Sequence, residues 1–397
     1  MAKPANAWRP PAYQVMIKPC GPRCNLACEY CYYLSKQGLY PNSDFRMSDA
    51  LLEDFTRQYI QSQRGQQVAF AWQGGEPTLM GIEFYRKAIA YQEKYNRLGL
   101  RIENTIQTNG TLLTEEWAAF FRENRFLVGI SLDGPPELHD IYRTDQAGQG
   151  SADRALAGLA LLQKHDVAYN ILCTVHQGNV AFPLEIYHYF RDALGAQFIQ
   201  FIPIVERDNK TGYQVGNKLT SRSVSGKQYG DFLIAVFDEW VRRDVGEVFV
   251  QLFDTALSHW LGMAGGGLCV FEPTCGLALA LEHNGDLYSC DHFVEPRHKL
   301  GNITKTAMED LVRSHQQARF GRSKLEALPA YCRDCDVLFA CHGGCPKNRI
   351  GHTPDGEFGL NHLCEGYRAF FAHIDQPMRR MANLLRQGKP AAEIMKA

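Results

Sequence analysis

The chain has 397 residues, 45% of them hydrophobic and 21% charged, which suits a folded protein of two or more domains and excludes a disordered one. Its 42 Lys and Arg balance 43 Asp and Glu, and a net charge of -1 disfavours a dedicated nucleic-acid or membrane-surface binder. No stretch approaches the ~18 uninterrupted apolar residues of a membrane-spanning helix. Residues 1–11 lack the apolar core of a signal peptide. We therefore expect a cytoplasmic protein with no membrane or nucleic-acid partner.

Apolar runs alternate with amphipathic ones along the first half of the chain. The runs predict buried strands at residues 15–17, 68–72, 105–107, 126–132, 169–175 and 198–204. Ser48 and Thr114 can cap helices between them, and Ser151 precedes a third. The predicted inward faces are Leu51, Leu52, Phe55 and Tyr59 in the first helix, and Leu156, Leu159 and Leu162 in the third.

Repeated strand–helix units predict parallel strands joined by right-handed crossovers. Six units suit an α/β fold, a partial (β/α)6 TIM-type barrel whose functional residues lie at the carboxyl ends of the strands. Polar and glycine-rich turns follow three of these strands at residues 73–77, 107–110 and 131–134. We expect a small-molecule ligand there.

The pattern changes after residue 206. Residues 207–227 are polar and predict a loop, residues 228–260 predict a long helical stretch, and cysteines become frequent from Cys269. The predicted organisation is a barrel domain at 1–227, a helical connecting segment at 228–268 and a cysteine-rich domain at 269–397.

Thirteen cysteines are unusual in a cytosolic chain, where thiols are kept reduced and clustered thiolates are soft metal ligands. Cys24, Cys28 and Cys31 form a C-x3-C-x2-C motif directly after the first predicted strand. Three thiolates can hold a [4Fe–4S] cluster and leave one iron open. The alternative is a four-cysteine zinc or iron–sulfur site that includes Cys20. Cys173, within an apolar run, is most simply a core thiol.

A second group of cysteines is dense and regularly spaced. Its eight thiols suffice for two four-thiolate sites, either iron–sulfur clusters or zinc, which spacing alone does not separate. With eight thiols present, nearby His342, His352 and His362 are expected at the surface or behind the ligands. The group consists of Cys269, Cys275, Cys290, Cys332, Cys335, Cys341, Cys345 and Cys364.

The first motif, with Tyr30 before its last cysteine, resembles the signature of radical S-adenosylmethionine (SAM) enzymes, and Gly74-Gly75-Glu76-Pro77 fits their turn for the SAM amino group. The resemblance implies SAM bound to the open iron and cleaved to a 5′-deoxyadenosyl radical. The second group resembles the SPASM domain. That resemblance implies three [4Fe–4S] clusters in all. One auxiliary cluster would be held by Cys269, Cys275, Cys290 and Cys345, and the other by Cys332, Cys335, Cys341 and Cys364.

Within this group the chain resembles the anaerobic sulfatase-maturating enzymes at residues 17–19, 72–77, 107–112, 126–135, 288–292 and 341–345. The resemblance implies oxidation of a Cys or Ser in a sulfatase motif C/S-x-P/A-x-R to Cα-formylglycine, with flavodoxin or a similar reductant. It implies that Asp291 is the base. The implied SAM contacts are Tyr30, Gly75, Ser131, Arg143 and Val205, which stands where the family shows Leu. Asp133 is expected to help hold the ribose or the target. Gln73 and Gln107 are expected to position either SAM or the target.

Two other interpretations stay open. One is another SPASM enzyme that cross-links or epimerises a ribosomal peptide or matures a quinohaem-type partner. The other is a non-enzymatic zinc or iron–sulfur binding protein.

Overall fold

A computed structural model of the chain describes residues 12–263 and 267–396. The expectation that residues 1–11 are not a signal peptide lies outside the described residues. Across the described ranges, every helix is too short or too polar to span a bilayer.

Parallel strands form the main sheet of the molecule. The strands are β1 Gln14–Lys18, β2 Gln67–Trp72, β3 Arg101–Thr108, β4 Leu127–Ser131, β5 Tyr169–Val175, β6 Phe198–Pro203, β7 Phe249–Val250, β8 Ala278–Glu282, β9 Asp286–Tyr288, β10 Lys299–Asn302, β11 Arg349–His352 and β12 Phe358–Asn361. Within the described ranges, one sheet joins ten of them in the order β10-β9-β8-β1-β2-β3-β4-β5-β6-β7, and β11 pairs with β12.

Strands β1 to β6 follow one another in the sheet and are all parallel, which confirms the predicted partial barrel. The sheet continues beyond both ends of this set. On one side β7 pairs parallel with β6, and on the other β8 pairs parallel with β1 along its whole length. The cysteine-rich part of the chain therefore contributes strands to the barrel sheet.

Helices cover the sheet between consecutive strands. They are α1 Asp49–Ser62, α2 Ile82–Tyr95, α3 Glu115–Glu123, α4 Pro136–His139, α5 Ala152–Lys164, α6 Pro183–His188, α7 Gly226–Arg243, α8 Gln251–Trp260, α9 Met308–Val312, α10 His315–Glu326, α11 Ala330–Arg333, α12 Leu338–Cys341, α13 Cys364–His373 and α14 Asp375–Arg386. Ser48 and Thr114 cap α1 and α3 as predicted, each accepting a backbone N–H. Ser151 does not cap α5 with its side chain, which donates instead to the carbonyl of Arg143.

The prediction of one helical stretch over residues 228–260 is wrong. Helix α7 ends at Arg243, and β7 and α8 follow. Gly246 lies between α7 and β7 with φ +87°, a left-handed conformation that costs little free energy only at glycine. The apolar run after it contains Phe249, which joins the sheet by donating its N–H to the carbonyl of Gln197 at 2.7 Å.

The core lies between the sheet and its helices in two large clusters. The predicted face of α1 is buried as expected, and Phe55 and Tyr59 pack against Phe70 of β2 with ring centroids 5.9 and 5.1 Å away. In α5, Leu159 and Leu162 are buried and Leu156 is half-buried. The core is thus apolar on the helix side and leaves the strand ends to polar residues.

Candidate active site

Cys24, Cys28 and Cys31 lie on the loop that follows β1, directly against the turn that follows β2. The Gly75 N–H donates to the carbonyl of Gly21 at 2.7 Å, and the Glu76 N–H to that of Arg23 at 2.9 Å. A Cβ on Gly75 would lie 2.0 Å from the Arg23 carbonyl oxygen. Gly75 is therefore required so that the two loops can approach each other closely.

The cysteine loop is also held from the other side. The N–H groups of Ala27 and Glu29 donate to the carbonyls of Thr144 and Tyr142, at 2.8 and 3.0 Å. Asn109, in the turn after β3, donates to Asn25 Oδ1 at 2.9 Å. Turns from three strand ends thus fix one loop that bears three thiols.

The chemistry of this donor set fits an iron–sulfur cluster. Burial raises the pKa of Cys24 to about 12 and that of Cys28 to about 11, and it also raises the pKa of Cys31. The thiols are therefore neutral in the chain alone, and a cluster would displace their protons on binding. Cys20 is 1% exposed and points its sulfur at the Glu76 carbonyl, 3.3 Å away, as expected for a residue outside the motif.

Tyr30 and Arg143 meet over a buried carboxylate. The Tyr30 hydroxyl and the Arg143 guanidinium both donate to Asp133, the latter at 2.8 Å, and the Thr174 N–H donates to it at 2.8 Å. Burial alone would raise the pKa of Asp133, but Arg143 and neighbouring His176 hold it well below its usual range. Asp133 is 0% exposed, and its hydrogen bonds position Tyr30 and Arg143. The expected contact of Asp133 with a ribose or target stays a prediction.

The remaining expected SAM contacts lie along the same strand ends. Ser131 ends β4 and accepts a hydrogen bond from the Gln107 side chain at 3.0 Å. Val205 follows β6 and is buried among apolar neighbours. Gln73 follows β2 and accepts a hydrogen bond from Lys18 at 3.3 Å. The structure therefore brings the residues predicted from separate turns to one edge of the sheet.

Asp291 lies where the two cysteine-bearing parts of the chain meet. Its carboxylate forms an ion pair with Lys18 at 2.6 Å and accepts a hydrogen bond from the Tyr32 hydroxyl at 2.6 Å. Burial alone would raise the pKa of Asp291, but Lys18, His292 and Tyr32 together lower it to about 2. The carboxylate is therefore ionised at neutral pH and held in a fixed orientation.

The eight cysteines of the C-terminal part separate into two groups of four. Cys269, Cys275 and Cys290 each interact electrostatically with Cys345, and Lys324 donates to the carbonyl of Cys269 beside them at 2.8 Å. The other four line one small pocket: Cys332, Cys335, Cys341 and Cys364. The resemblance implies the same division, and the two ligand sets stay a prediction.

The histidines near the second group make other contacts. His362 bonds to the carbonyl of Val224 at 3.0 Å, His342 packs beside His259, and His352 is exposed. Cys173 is 0% exposed in the core, as predicted.

Lys18 and Tyr32 contact Asp291, and sequence reasoning did not single them out as site residues. Lys18 ends β1 and is 2% exposed, and its ammonium lies 4.5 Å above the Tyr33 ring. A lysine at the inner end of a buried strand is a signal in itself, because burying an unpaired ammonium is unfavourable. Its partner Asp291 is too distant in the chain for the sequence to reveal.

Comparison with known proteins agrees with this geometry. Residues 19–189 match the Radical SAM superfamily, and residues 269–336 match the iron-sulfur cluster-binding domain named SPASM. A serine-type anaerobic sulfatase-maturating enzyme of Bacteroides thetaiotaomicron is 48% identical over 96% of this chain and 94% of its own. A cysteine-type enzyme of Clostridium perfringens is 33% identical over 94% and 99%.

Solved structures agree as well. Native anSMEcpe with bound AdoMet is 32% identical, with a TM-score of 0.84 over 93% of this chain and 99% of its own. The same enzyme with AdoMet and the Cp18Cys peptide also gives 0.84, over 95% and 100%. Streptococcus suis SuiB bound to its precursor peptide SuiA gives 0.61 over 89% and 76% at 16% identity, which indicates a shared fold alone.

These matches decide between the open interpretations. The SPASM match covers residues 269–336, which include five of the eight C-terminal cysteines, and the relatives that the chain resembles are enzymes, so the interpretation as a non-enzymatic zinc or iron–sulfur binding protein is wrong. Similarity to the sulfatase-maturating enzymes extends over nearly the whole chain, and similarity to SuiB is confined to the fold. The chain belongs to the anaerobic sulfatase-maturating enzymes, which are radical SAM enzymes with iron–sulfur clusters and a SPASM domain.

Proposed function

We propose that this chain oxidises a Cys or Ser in a sulfatase motif C/S-x-P/A-x-R to Cα-formylglycine. The observation that carries the proposal is the position of Asp291. This ionised carboxylate follows Cys290 of the second cysteine group and is bound by Lys18 and Tyr32 from either side of the first motif. A base is thereby fixed between the two cysteine-bearing regions.

We assign three [4Fe–4S] clusters to the eleven cysteines. Cys24, Cys28 and Cys31 hold the cluster with an open iron, and their placement on one fixed loop supports this assignment. The cavity between Cys332, Cys335, Cys341 and Cys364 supports the second. The electrostatic contacts of Cys269, Cys275 and Cys290 with Cys345 support the third. We assign the first cluster to a barrel domain at 1–227 and both auxiliary clusters to the SPASM domain at 269–397, with 228–268 as a connecting segment.

We assign SAM to the edge of the barrel sheet beside the first motif. Gly75 offers backbone to the SAM amino group, and Ser131 and Arg143 supply donors for the ribose and the carboxylate. Tyr30 is held by Asp133 in the cysteine loop, and Val205 provides an apolar contact for the adenine. Pairing with Asp133 fixes the Arg143 guanidinium before a ligand arrives, which lowers the entropy lost on binding.

When bound, the clusters and SAM supply both a 5′-deoxyadenosyl radical, which takes a hydrogen atom from the target Cβ, and an acceptor for one further electron. The protein must remove the remaining proton from the target thiol or hydroxyl. Asp291 can accept that proton because it is ionised at neutral pH. Lys18 and Tyr32 hold the carboxylate in one orientation while it does so. The electron that starts each cycle comes from flavodoxin or a similar reductant.

Serine is the target residue that similarity favours. Identity is 48% with the serine-type relative and 33% with the cysteine-type one. Oxidation of serine and oxidation of cysteine share one scaffold, so the same experiment also tests which of the two residues is the target.

The test is anaerobic turnover of two peptides. The protein is reconstituted with iron and sulfide and mixed with SAM, a reductant, and a peptide carrying either S-x-P-x-R or C-x-P-x-R. We expect loss of two hydrogens from the serine peptide, with 5′-deoxyadenosine released. SAM cleavage with both peptides unchanged would contradict the proposed substrate, and iron-loaded protein that does not cleave SAM would contradict the chemistry.

A further inference from the structure

A basic cleft lies between the loop after β6 and the cysteine-rich part of the chain. Its empty volume is about 730 Å³. Four cationic side chains line it, and among the described residues that line it none is Asp or Glu. The cations are Arg207, Arg297, Lys347 and Arg349. We call this region the basic cleft.

The cations of the basic cleft are not equally available. Arg349 donates to the carbonyls of Gly343, Lys324 and His342, so its guanidinium is already bonded. Arg297 forms an ion pair with Glu295 at 2.6 Å. Both residues shape the wall; Arg349 also adds a positive charge to it, whereas the charge of Arg297 is offset by Glu295.

Lys347 and Arg207 have donors to spare. Arg207 donates to the carbonyl of Gly216 and, at 2.6 Å, to that of Lys347, and its buried Nε has no partner among the described residues. The Lys347 ammonium has no hydrogen bond or ion pair with any residue in 12–263 or 267–396. An ammonium whose hydrogen-bond donors are not taken up by the chain can bind an anion that enters the cleft.

The basic cleft adjoins Asp291. Phe293, two residues after Asp291, lines the cleft, and Lys347 lies within electrostatic range of Asp291 and Cys290. The opposite wall is aromatic: the rings of Phe293 and Phe320 are 5.5 Å apart, and Phe358 is 54% exposed. Such a cleft fits a chain segment that carries a carboxylate and apolar groups, better than the flat face of a folded protein.

We propose that the basic cleft binds an Asp or Glu side chain of the polypeptide substrate, at a position that flanks the C/S-x-P/A-x-R motif. The inference rests on the proposed function, because the target residue must reach Asp291 while the flanking residue reaches Lys347. The cleft repels the arginine of the motif. It therefore selects substrates with an acidic flank and fixes the direction in which the chain enters.

The experiment scans one glutamate through a substrate peptide. Fluorescent peptides with a constant S-x-P-x-R core carry a single Glu, in place of Gln, at each of about six positions on either side, a reach of ~20 Å. Their Kd is measured by anisotropy with the reconstituted enzyme before turnover, and KM during turnover. At one or two positions we expect Glu to bind about tenfold more tightly than Gln, an advantage that shrinks as salt rises.

Variants locate the effect. Lys347→Met should abolish the Glu advantage and Lys347→Arg should retain it, whereas Lys389→Met, exposed after α14, should behave as wild type. Because Lys347 is near Cys345, iron content is measured for each variant. Ser323, exposed at the cleft, provides an independent test: Ser323→Glu should remove the Glu advantage, and its matched control Ser323→Gln should not.

The outcomes separate the inference from the proposed function. If wild-type enzyme oxidises the core peptide but binds every Glu peptide as it binds the matching Gln peptide, the inference is wrong and the function stands. If no peptide is oxidised, the function itself fails. If Lys347→Met leaves peptide Kd unchanged but slows turnover with flavodoxin and not with dithionite, the cleft binds the acidic reductant and our assignment is overturned.

Discussion

Replacing Gly75 with alanine tests whether close approach of two loops builds the first cluster site. The new Cβ would lie 2.0 Å from the Arg23 carbonyl oxygen and 2.7 Å from that of Pro22. Both are backbone atoms, so no side chain can turn aside to make room. The loops must separate until the contact reaches the 3.4 Å of ordinary van der Waals packing.

That separation breaks bonds that tie the cysteine loop to β2. The Gly75 N–H to Gly21 bond, the Glu76 N–H to Arg23 bond and the contact of Cys20 with Glu76 all cross this junction. At ~1 kcal/mol for each bond, with a packing cost of similar size, we expect Gly75→Ala to destabilise the protein by about 2–4 kcal/mol. Cys24 moves with the loop, so iron binding should fall as well.

The assay compares Gly75→Ala with Gly38→Ala under anaerobic reconstitution. Gly38 has no atom within 4 Å of its would-be Cβ and no left-handed φ, so its variant should match wild type. Iron per chain, the visible absorption of the cluster, SAM affinity and the denaturation midpoint are measured for both. Wild-type iron content together with a wild-type midpoint in Gly75→Ala would refute the reasoning.

Three further changes test other parts of the site. Asp291→Asn should slow formylglycine formation by about 10²- to 10⁴-fold with SAM cleavage retained, and an unchanged rate would remove Asp291 as the base. Cys341→Ser should lower bound iron by about a third, whereas Cys173→Ala, in the core, should keep it all; equal iron in the two variants would contradict the cluster assignment. Burial lowers the pKa of His139 from 6.5 to about 4, so the unfolded chain binds the proton first as pH falls. Stability should therefore decline by about 3 kcal/mol between pH 6.5 and pH 4, and His139→Gln should lack this decline in denaturant titrations.

The sequence predicted the parts of the fold that depend on local pattern. Most strands from β1 to β6 contain a short apolar run that ends at a polar turn, although β3 is largely polar and begins four residues before its predicted start. Ser48 and Thr114 cap their helices as predicted. Cysteine spacing drew attention to the loop of Cys24, Cys28 and Cys31, because these cysteines are close in the chain as well as in space. The end of the helix at Arg243 was not predicted, because apolar residues continue on both sides of Gly246 and the short strand β7 fits the apolar pattern of a helix.

Contacts between distant segments could not be predicted in this way. The ion pair of Lys18 with Asp291 depends on the pairing of β1 with β8, and neither residue carries a local signal for the other. The partners of Asp133 were hidden for the same reason: Tyr30 and Thr174 come from different segments of the chain, and both donate hydrogen bonds to its buried carboxylate. The sequence suggested which residues gather at the strand ends but not which of them bond to one another.

The pairing of β8 with β1 has a consequence for how the chain folds. As the ribosome releases the barrel, β1 is paired with β2 on one side only, and its other edge exposes unpaired backbone groups until β8 emerges. Such an edge is a template for pairing with another chain. Until Asp291 has been synthesised, the Lys18 ammonium lacks its ionic partner and must stay in contact with water. A newly made chain is thus most vulnerable to aggregation in the interval before its C-terminal third is complete, and chaperone binding during synthesis should concentrate there.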